Sequence, residues 1–304
     1  MISTDKPSFI VVGPPRTGTS WLHKVLEAYT TLPAPTKETR FFDLHFDRGF
    51  DWYSWHFPRT HQGPVGEIAP TYFASPEARK RIAQTIPNAR IVFIFRNPVE
   101  RAVSLYRLKL AYGMYRWSFP DALRKDPELI NSGLYWRHFS GWRESFPDEH
   151  LLVTIYDDLA GDPQAFVSKV ASFIGLDRLT LSHSQLSRVF STERMTRPRS
   201  YVATRTATAF ADWCKSRRLD HLVASVRESA LIKLFLGGGE SLPQMPPESL
   251  QELAELFRPE VEALESYLGR DLENWKAGIM PREPRASVDA FATPHIRGTE
   301  CSSP

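Results

Sequence analysis

A three-layer α/β fold, with a central parallel sheet flanked by helices and a P-loop-like anion-binding loop, is predicted by three features of the 304-residue sequence. Uninterrupted apolar runs at 9–12 (FIVV) and 91–95 (IVFIF), and LLVTI at 151–155, have the β-branched and aromatic character of buried strands. Helical periodicities alternate with them, the order that builds parallel sheets through right-handed crossovers. The first run ends in GPPRTGTS, a Gly/Pro/Thr turn that opens into a helix.

Behind that turn Trp21, Leu22, Val25, Leu26 and Tyr29 recur at helical spacing, so the amides of Thr17, Gly18, Thr19 and Ser20 are expected near a helix N-terminus. Such an end offers unpaired N–H groups and about half a positive charge, which suits a phosphate or sulfate. A proline-punctuated loop then leads to TKETRFFD at 36–43, and DWYSWHF at 51–57 reads as a helical turn or lid. GEIAPTYF at 66–73 reads as a second strand broken by Pro70. Ser75 and Pro76 are an N-cap and a first-turn proline for a helix over 77–86. After the strand at 90–95, Asn97-Pro98 opens a helix at once, with Glu100 completing a capping-box-like start. Further helices are expected over 134–146, 162–173 and 248–268. Residues 1–280 form a single domain in this reading, with irregular lid and acceptor-binding segments at about 40–65 and 180–250. The polar, proline-bearing stretch 281–304 is expected to be a disordered tail.

Composition narrows the function. A formal charge of +3 is too small to imply nucleic acid by itself, and the two cysteines, Cys214 and Cys301, offer neither a disulfide framework nor zinc spacing. The start MISTDKPSF lacks a signal pattern, and no run approaches the ~20 apolar residues of a membrane span, so a cytoplasmic protein is expected.

The position of the cation decides which anion the first loop suits. It fits the two glycines of G-x-x-x-x-G-K-[ST], yet Thr19 stands where the lysine belongs and the basic residue is Arg16. A second anchor follows the strand at 90–95: Arg96 sits at its carboxyl end, where ligands bind in open α/β sheets, and Ser104 shares a helix face with Asn97 and Glu100. Both can reach one phosphate.

RTGTSW at 16–21, and a strand followed by R-N-P with Ser104 beyond it, resemble the two ends of the donor site in sulfotransferases that use 3′-phosphoadenosine 5′-phosphosulfate (PAPS). KETRFFD at 37–43, DWY at 51–53, GEIAPTYF at 66–73 and the block at 146–163 resemble the glycosaminoglycan (heparan sulfate) branch, here as a free-standing bacterial type. The resemblance implies that the loop at 16–20 holds the 5′-phosphosulfate, Arg16 bridges phosphate and sulfuryl group, and Trp21 lies against the adenine. It further implies that Arg96 and Ser104 hold the 3′-phosphate, and that a basic loop bearing Arg194, Arg197 and Arg199 closes over the nucleotide, with the closing arginine undecided. Glu38 is the implied base, flanked by Lys37 near the sulfuryl group and Asp43 orienting the acceptor. Arg40 and Ile68 depart from the family pattern, which has His and Lys at these places in some or many members.

PAP is then the product, and the acceptor is a small molecule or glycan: a hydroxyl, less readily an amine, of a carbohydrate, lipid or secondary metabolite. No metal is called for, because no ligand cluster is visible and sulfuryl transfer gathers less charge than triphosphate chemistry. His23, His45, His56 and His61 are substitute bases, and Tyr72, Trp52, Tyr53 and Trp55 are candidates to line the acceptor pocket. A P-loop nucleotide kinase and a non-catalytic nucleotide-binding module are the competing readings.

Overall fold

The computed structural model describes residues 6–58, 63–114, 116–187, 206 and 242–276. The expected tail, most of the stretch at 180–250, both cysteines, His61, and Arg194, Arg197 and Arg199 lie outside the described residues.

Four strands, β1 (Phe9–Gly13), β2 (Gly66–Ile68), β3 (Arg90–Phe95) and β4 (Leu151–Ile155), form one parallel sheet in the order β2-β1-β3-β4. Alternation along β1 and β3 assigns their side chains to opposite faces. Ile10, Val12, Ile91, Phe93 and Phe95 meet one helical layer: α2 (Phe41–Leu44), α3 (Phe50–Ser54), α4 (Pro76–Thr85), and, introduced later in the chain, the helices over 135–145 and 247–268. Phe9, Val11, Val92 and Ile94 meet the other, made by α1 (Thr19–Leu26) and by the helices over 156–161 and 163–174. The sheet is therefore covered on both faces, which is why its strands read as continuous apolar runs. The outer strand β4 is the exception: Leu151, Leu152 and Val153 are only half-buried, whereas the other edge strand, β2, is fully buried.

Local signals place the helix starts. Ser75 accepts the Ala78 amide at the head of α4, and Asn97 accepts the amides of Val99 and Glu100 at the head of α5 (Pro98–Ala111), caps worth about 1 kcal/mol each. Two short helices that the periodicity does not reveal follow, α6 (Phe119–Lys125) and α7 (Glu128–Asn131). The chain continues through α8 (Tyr135–Ser145), α9 (Tyr156–Gly161), α10 (Pro163–Ile174), α11 (His183–Ser187), α12 (Pro247–Leu268) and α13 (Glu273–Lys276), and α6 and α7 pack with α5 and α12 in a third apolar cluster.

Strand order creates the crevice that matters. From β1 the chain moves to β2 on one side, then returns across to β3 on the other, so the carboxyl ends of β1 and β3 flank a topological switch point. At that end the β1–β3 register slips: Val11 pairs with Val92 but Gly13 with Phe93, an extra residue in β1 just before the loop. Gly13 adopts φ +91°, and a Cβ there would stand 2.5 Å from the Pro70 Cβ, so the loop leaves the sheet pressed against the turn after β2.

Candidate functional site

The loop after β1 turns on two left-handed residues, Arg16 at φ +76° and Gly18 at φ +95°. Gly18 caps α1, and a side chain there would run into Leu159 and Tyr156 of α9. Thr17 is fully buried and donates its hydroxyl to the Pro14 carbonyl at 2.7 Å, so its side chain braces the loop. What the loop offers a ligand is thus its main chain at the head of α1, together with the Ser20 hydroxyl, which accepts from Lys37 Nζ at 3.1 Å.

The two anchors expected from the sequence meet. Arg16 Nε donates to Ser104 Oγ of α5 at 3.0 Å, across 88 positions of chain. Arg96, at the end of β3, gives Nε and Nη2 to Glu100 Oε2 at 3.1 and 2.9 Å and lies 4.6 Å over the ring of Tyr156. Its own carbonyl accepts from the buried Tyr135 hydroxyl at 2.7 Å, which fixes the strand end. Burial, and then the neighbouring Arg96, hold the Arg16 pKa below its ordinary value. Two guanidiniums that repel one another in a crevice are what an anion of two phosphates would relieve.

Lys37 and Glu38 close the same crevice from the loop after α1. Lys37 Nζ stands 3.5 Å from Glu38 Oε1. Burial lowers the Lys37 pKa, opposed by Glu38 and assisted by Arg16. Burial raises that of Glu38, opposed chiefly by Lys37, with Arg40 lowering and Asp43 raising it further. Asp43 takes Arg40 Nε and Nη2 on Oδ2 at 2.7 and 2.6 Å, while its buried Oδ1 has no donor among the described residues. The structure therefore brings Arg16, Lys37, Glu38, Asp43, Ser20, Arg96 and Ser104 into one region. Trp21 lies at its side, half-buried, with Nε1 donating to the Gln185 carbonyl at 2.9 Å and its ring edge-on to Phe166.

The substitute bases fare less well. His23 is held down to about 4, by burial first and Lys37 second, so it is neutral at pH 7. His56 is buried with Nδ1 2.9 Å from the Trp52 carbonyl, where the ring nitrogen serves the fold as a donor. Burial lowers His45 as well. Of the aromatic residues expected at the acceptor pocket, Tyr53 and Tyr72 are instead fully buried, with their hydroxyls on Glu67, because DWYSWHF folds as α3 into the core rather than as a lid. Trp55 is half-exposed and Trp52 packs beside Phe41 and His45.

Three residues that motif reading passed over belong here: Glu100 on Arg96, Tyr156 between Gly18 and Arg96, and Glu67 beneath Thr39. An aromatic residue directly after the strand at 151–155 was the available signal for Tyr156. Among the described residues, no group of three or more His, Cys, Asp or Glu could hold a metal ion, and no helix is long and apolar enough to cross a membrane.

Comparison with known proteins agrees with this geometry. Residues 6–216 match the model of the sulfotransferase domain family. Mouse heparan sulfate glucosamine 3-O-sulfotransferase 6 is 32% identical over 182 residues, covering 57% of this chain and 53% of that protein. Human heparan sulfate glucosamine 3-O-sulfotransferase 3B1 is 29% identical over 187 residues, covering 58% and 48%. The chain thus spans about half the length of the curated relatives it matches. The crystal structure of a sulfotransferase from Alicyclobacillus acidocaldarius superposes with a TM-score of 0.62 at 23% identity, covering 90% of this chain and 99% of that one, and so shares the fold. With a family match across more than two-thirds of its length, laid over a crevice at the switch point of a parallel sheet, this chain belongs to the sulfotransferase domain family.

Proposed function

We propose that this protein transfers a sulfuryl group from PAPS to a hydroxyl of a carbohydrate, releasing PAP. The observation that carries the reading is the hydrogen bond from Arg16 to Ser104 beside Arg96: it joins a phosphosulfate loop to a second phosphate anchor, which a kinase does not require. Family membership supports the reaction, and the relatives named for 3-O-sulfation of heparan sulfate glucosamine support a sugar hydroxyl as acceptor.

PAPS supplies the activated sulfuryl group; the chain supplies position and charge. Arg96 and Ser104 bind the 3′-phosphate, with Nη1 the guanidinium nitrogen not engaged by Glu100. The amides at 17–20 and Arg16 bind the 5′-phosphosulfate, and Trp21 and Tyr156 flank the adenine side. Glu38 takes the acceptor proton as the acceptor oxygen bonds to sulfur, its raised pKa suiting it to a general base near neutral pH. Arg16 and Lys37 stabilise the negative charge that gathers on the bridging oxygen as its bond to sulfur breaks. Asp43 orients the acceptor, its buried Oδ1 being the carboxylate oxygen that has no donor among the described residues.

Thermal unfolding with PAP and, separately, with ATP and Mg²⁺ tests the donor. PAP at a hundredfold its Kd stabilises by about 2.7 kcal/mol, and ATP-Mg²⁺ leaves the melting temperature unchanged. The opposite pattern would overturn the reading in favour of a phosphotransferase. Release of PAP from PAPS over a panel of desulfated glycans, aminoglycans and simple sugars then identifies the acceptor, and PAP binding without turnover on any of them would leave a binding module.

The anchors can be separated. Arg96→Ala or Ser104→Ala weakens PAP binding by roughly 10- to 100-fold, the loss of one or more charge-assisted hydrogen bonds. Affinity for adenosine 5′-phosphosulfate, which lacks the 3′-phosphate, stays within about twofold of wild type. Calorimetric titration with both ligands checks this, and equal losses would contradict the assignment.

A further inference from the structure

Glu67 is a charged residue with no exposure at all, in the middle of the three-residue strand β2. Its Oε1 accepts both the amide and the hydroxyl of Thr39, each at 2.7 Å. On Oε2 it accepts from Tyr53 of α3 at 3.0 Å and from Tyr72 at 3.3 Å. The Thr39 hydroxyl in turn accepts the Phe41 amide at 3.1 Å, and the Tyr72 hydroxyl accepts the Phe42 amide at 3.4 Å. One carboxylate thereby ties together β2, the turn after it, α3, and the chain on which Glu38 sits.

Packing alone does not call for this group. A buried carboxylate forfeits its hydration, and an apolar residue of similar volume would fill the same space at lower cost. What an apolar residue could not do is hold Thr39. The chain at 33–40 has no helix or strand of its own to fix it, and Arg40 takes a left-handed φ of +55° to enter α2. Between those two conditions lies Glu38, whose neighbour Thr39 is the residue that Glu67 grips.

We propose that Glu67 is a positioning residue for the transfer reaction: by gripping Thr39 from below, it keeps the Glu38 carboxylate in the desolvated crevice beside Lys37. The proposal rests on Glu38 acting as the base. Burial also lifts Glu67 itself to about 7, so that its neutral form is well populated near neutral pH. Glutamine reproduces that neutral form and keeps Oε1 for both Thr39 donors, whereas alanine releases them. Thr39→Val releases the hydroxyl while leaving the amide and the shape of the side chain.

The test follows the Glu38 carboxyl directly, by ¹³C NMR titration of glutamate-labelled protein, with its signal assigned by its loss in Glu38→Gln. Alongside it run the melting temperature, the affinity for PAP, and kcat and KM for PAPS with the best acceptor from the panel. Wild-type Glu38 titrates above the ordinary carboxylate range. In Glu67→Ala, or in Thr39→Val if the former does not fold, its titration falls toward the unperturbed value of about 4.3. In the same variants kcat drops by at least roughly tenfold with PAPS KM held within about twofold, and Glu67→Gln restores both. Lowered melting temperatures with an unmoved Glu38 titration and wild-type kcat would overturn the proposal and leave Glu67 a core residue only. Wild-type turnover by Glu38→Gln, with the Glu38 titration still moved by Glu67→Ala or Thr39→Val, would instead remove the base assignment and retain the positioning.

Discussion

Glu38→Gln lowers turnover by about 10²- to 10⁴-fold while leaving PAP affinity near wild type, the signature of a lost general base. Nothing in the proposed donor anchors changes, since Arg16 bonds to Ser104, and Arg96 to Glu100, without Glu38. The pH dependence has a definite sign. Burial raises the Glu38 pKa, so kcat/KM climbs with pH as the carboxylate forms, and that climb lies above the ordinary carboxylate range. In Glu38→Gln the climb disappears. Steady-state kinetics over pH 5 to 8 on both proteins, with PAP calorimetry as the control, check the prediction. A rate within about twofold of wild type would move the base elsewhere.

Arg16→Ala is the second large effect, with kcat reduced by about 10²- to 10³-fold, the usual loss for a donor at a developing oxyanion. Arg16 is the one residue of the loop whose side chain crosses to the second anchor, through Ser104 at 3.0 Å. Its removal also relieves the repulsion with Arg96. Ground-state binding of PAP therefore falls by less than turnover does. Arg16→Lys keeps a point charge but not the fork that meets Ser104 and phosphate together, and recovers only part of the rate. Comparable losses in kcat and in PAP affinity would mean that Arg16 serves binding rather than the bond-breaking step.

Much of the fold, and the meeting of Arg16 with Ser104 beside Arg96, was legible because it depends on local chemistry. RIVFIFRNP announces a strand, an arginine at its carboxyl end and a helix start within nine letters, and the sheet places each as read. The family reading from RTGTSW is borne out by the family match over residues 6–216. Glu67 was not legible in the same way. An acid between Gly66 and Ile68 reads as the solvent side of a short strand, and only the arrival of Thr39 and Tyr53 from distant segments makes it a buried hub. The aromatic residues expected at the acceptor pocket misled for a related reason. Short helices show no period, so Tyr53 and Tyr72 looked like the wall of a pocket when they are the core beneath it.

The slipped register between Val11 and Gly13 has a dimensional meaning. Each strand residue advances the chain by about 3.3 Å, so the extra residue in β1 starts the Arg16 loop one step lower, relative to Arg96, than regular pairing would. The span between the two proposed phosphate anchors is accordingly gauged at its base by main-chain hydrogen bonds of adjacent strands. A gauge of that kind is indifferent to what happens at the rim. Substitutions in the loops proposed to meet the acceptor would leave that length unchanged.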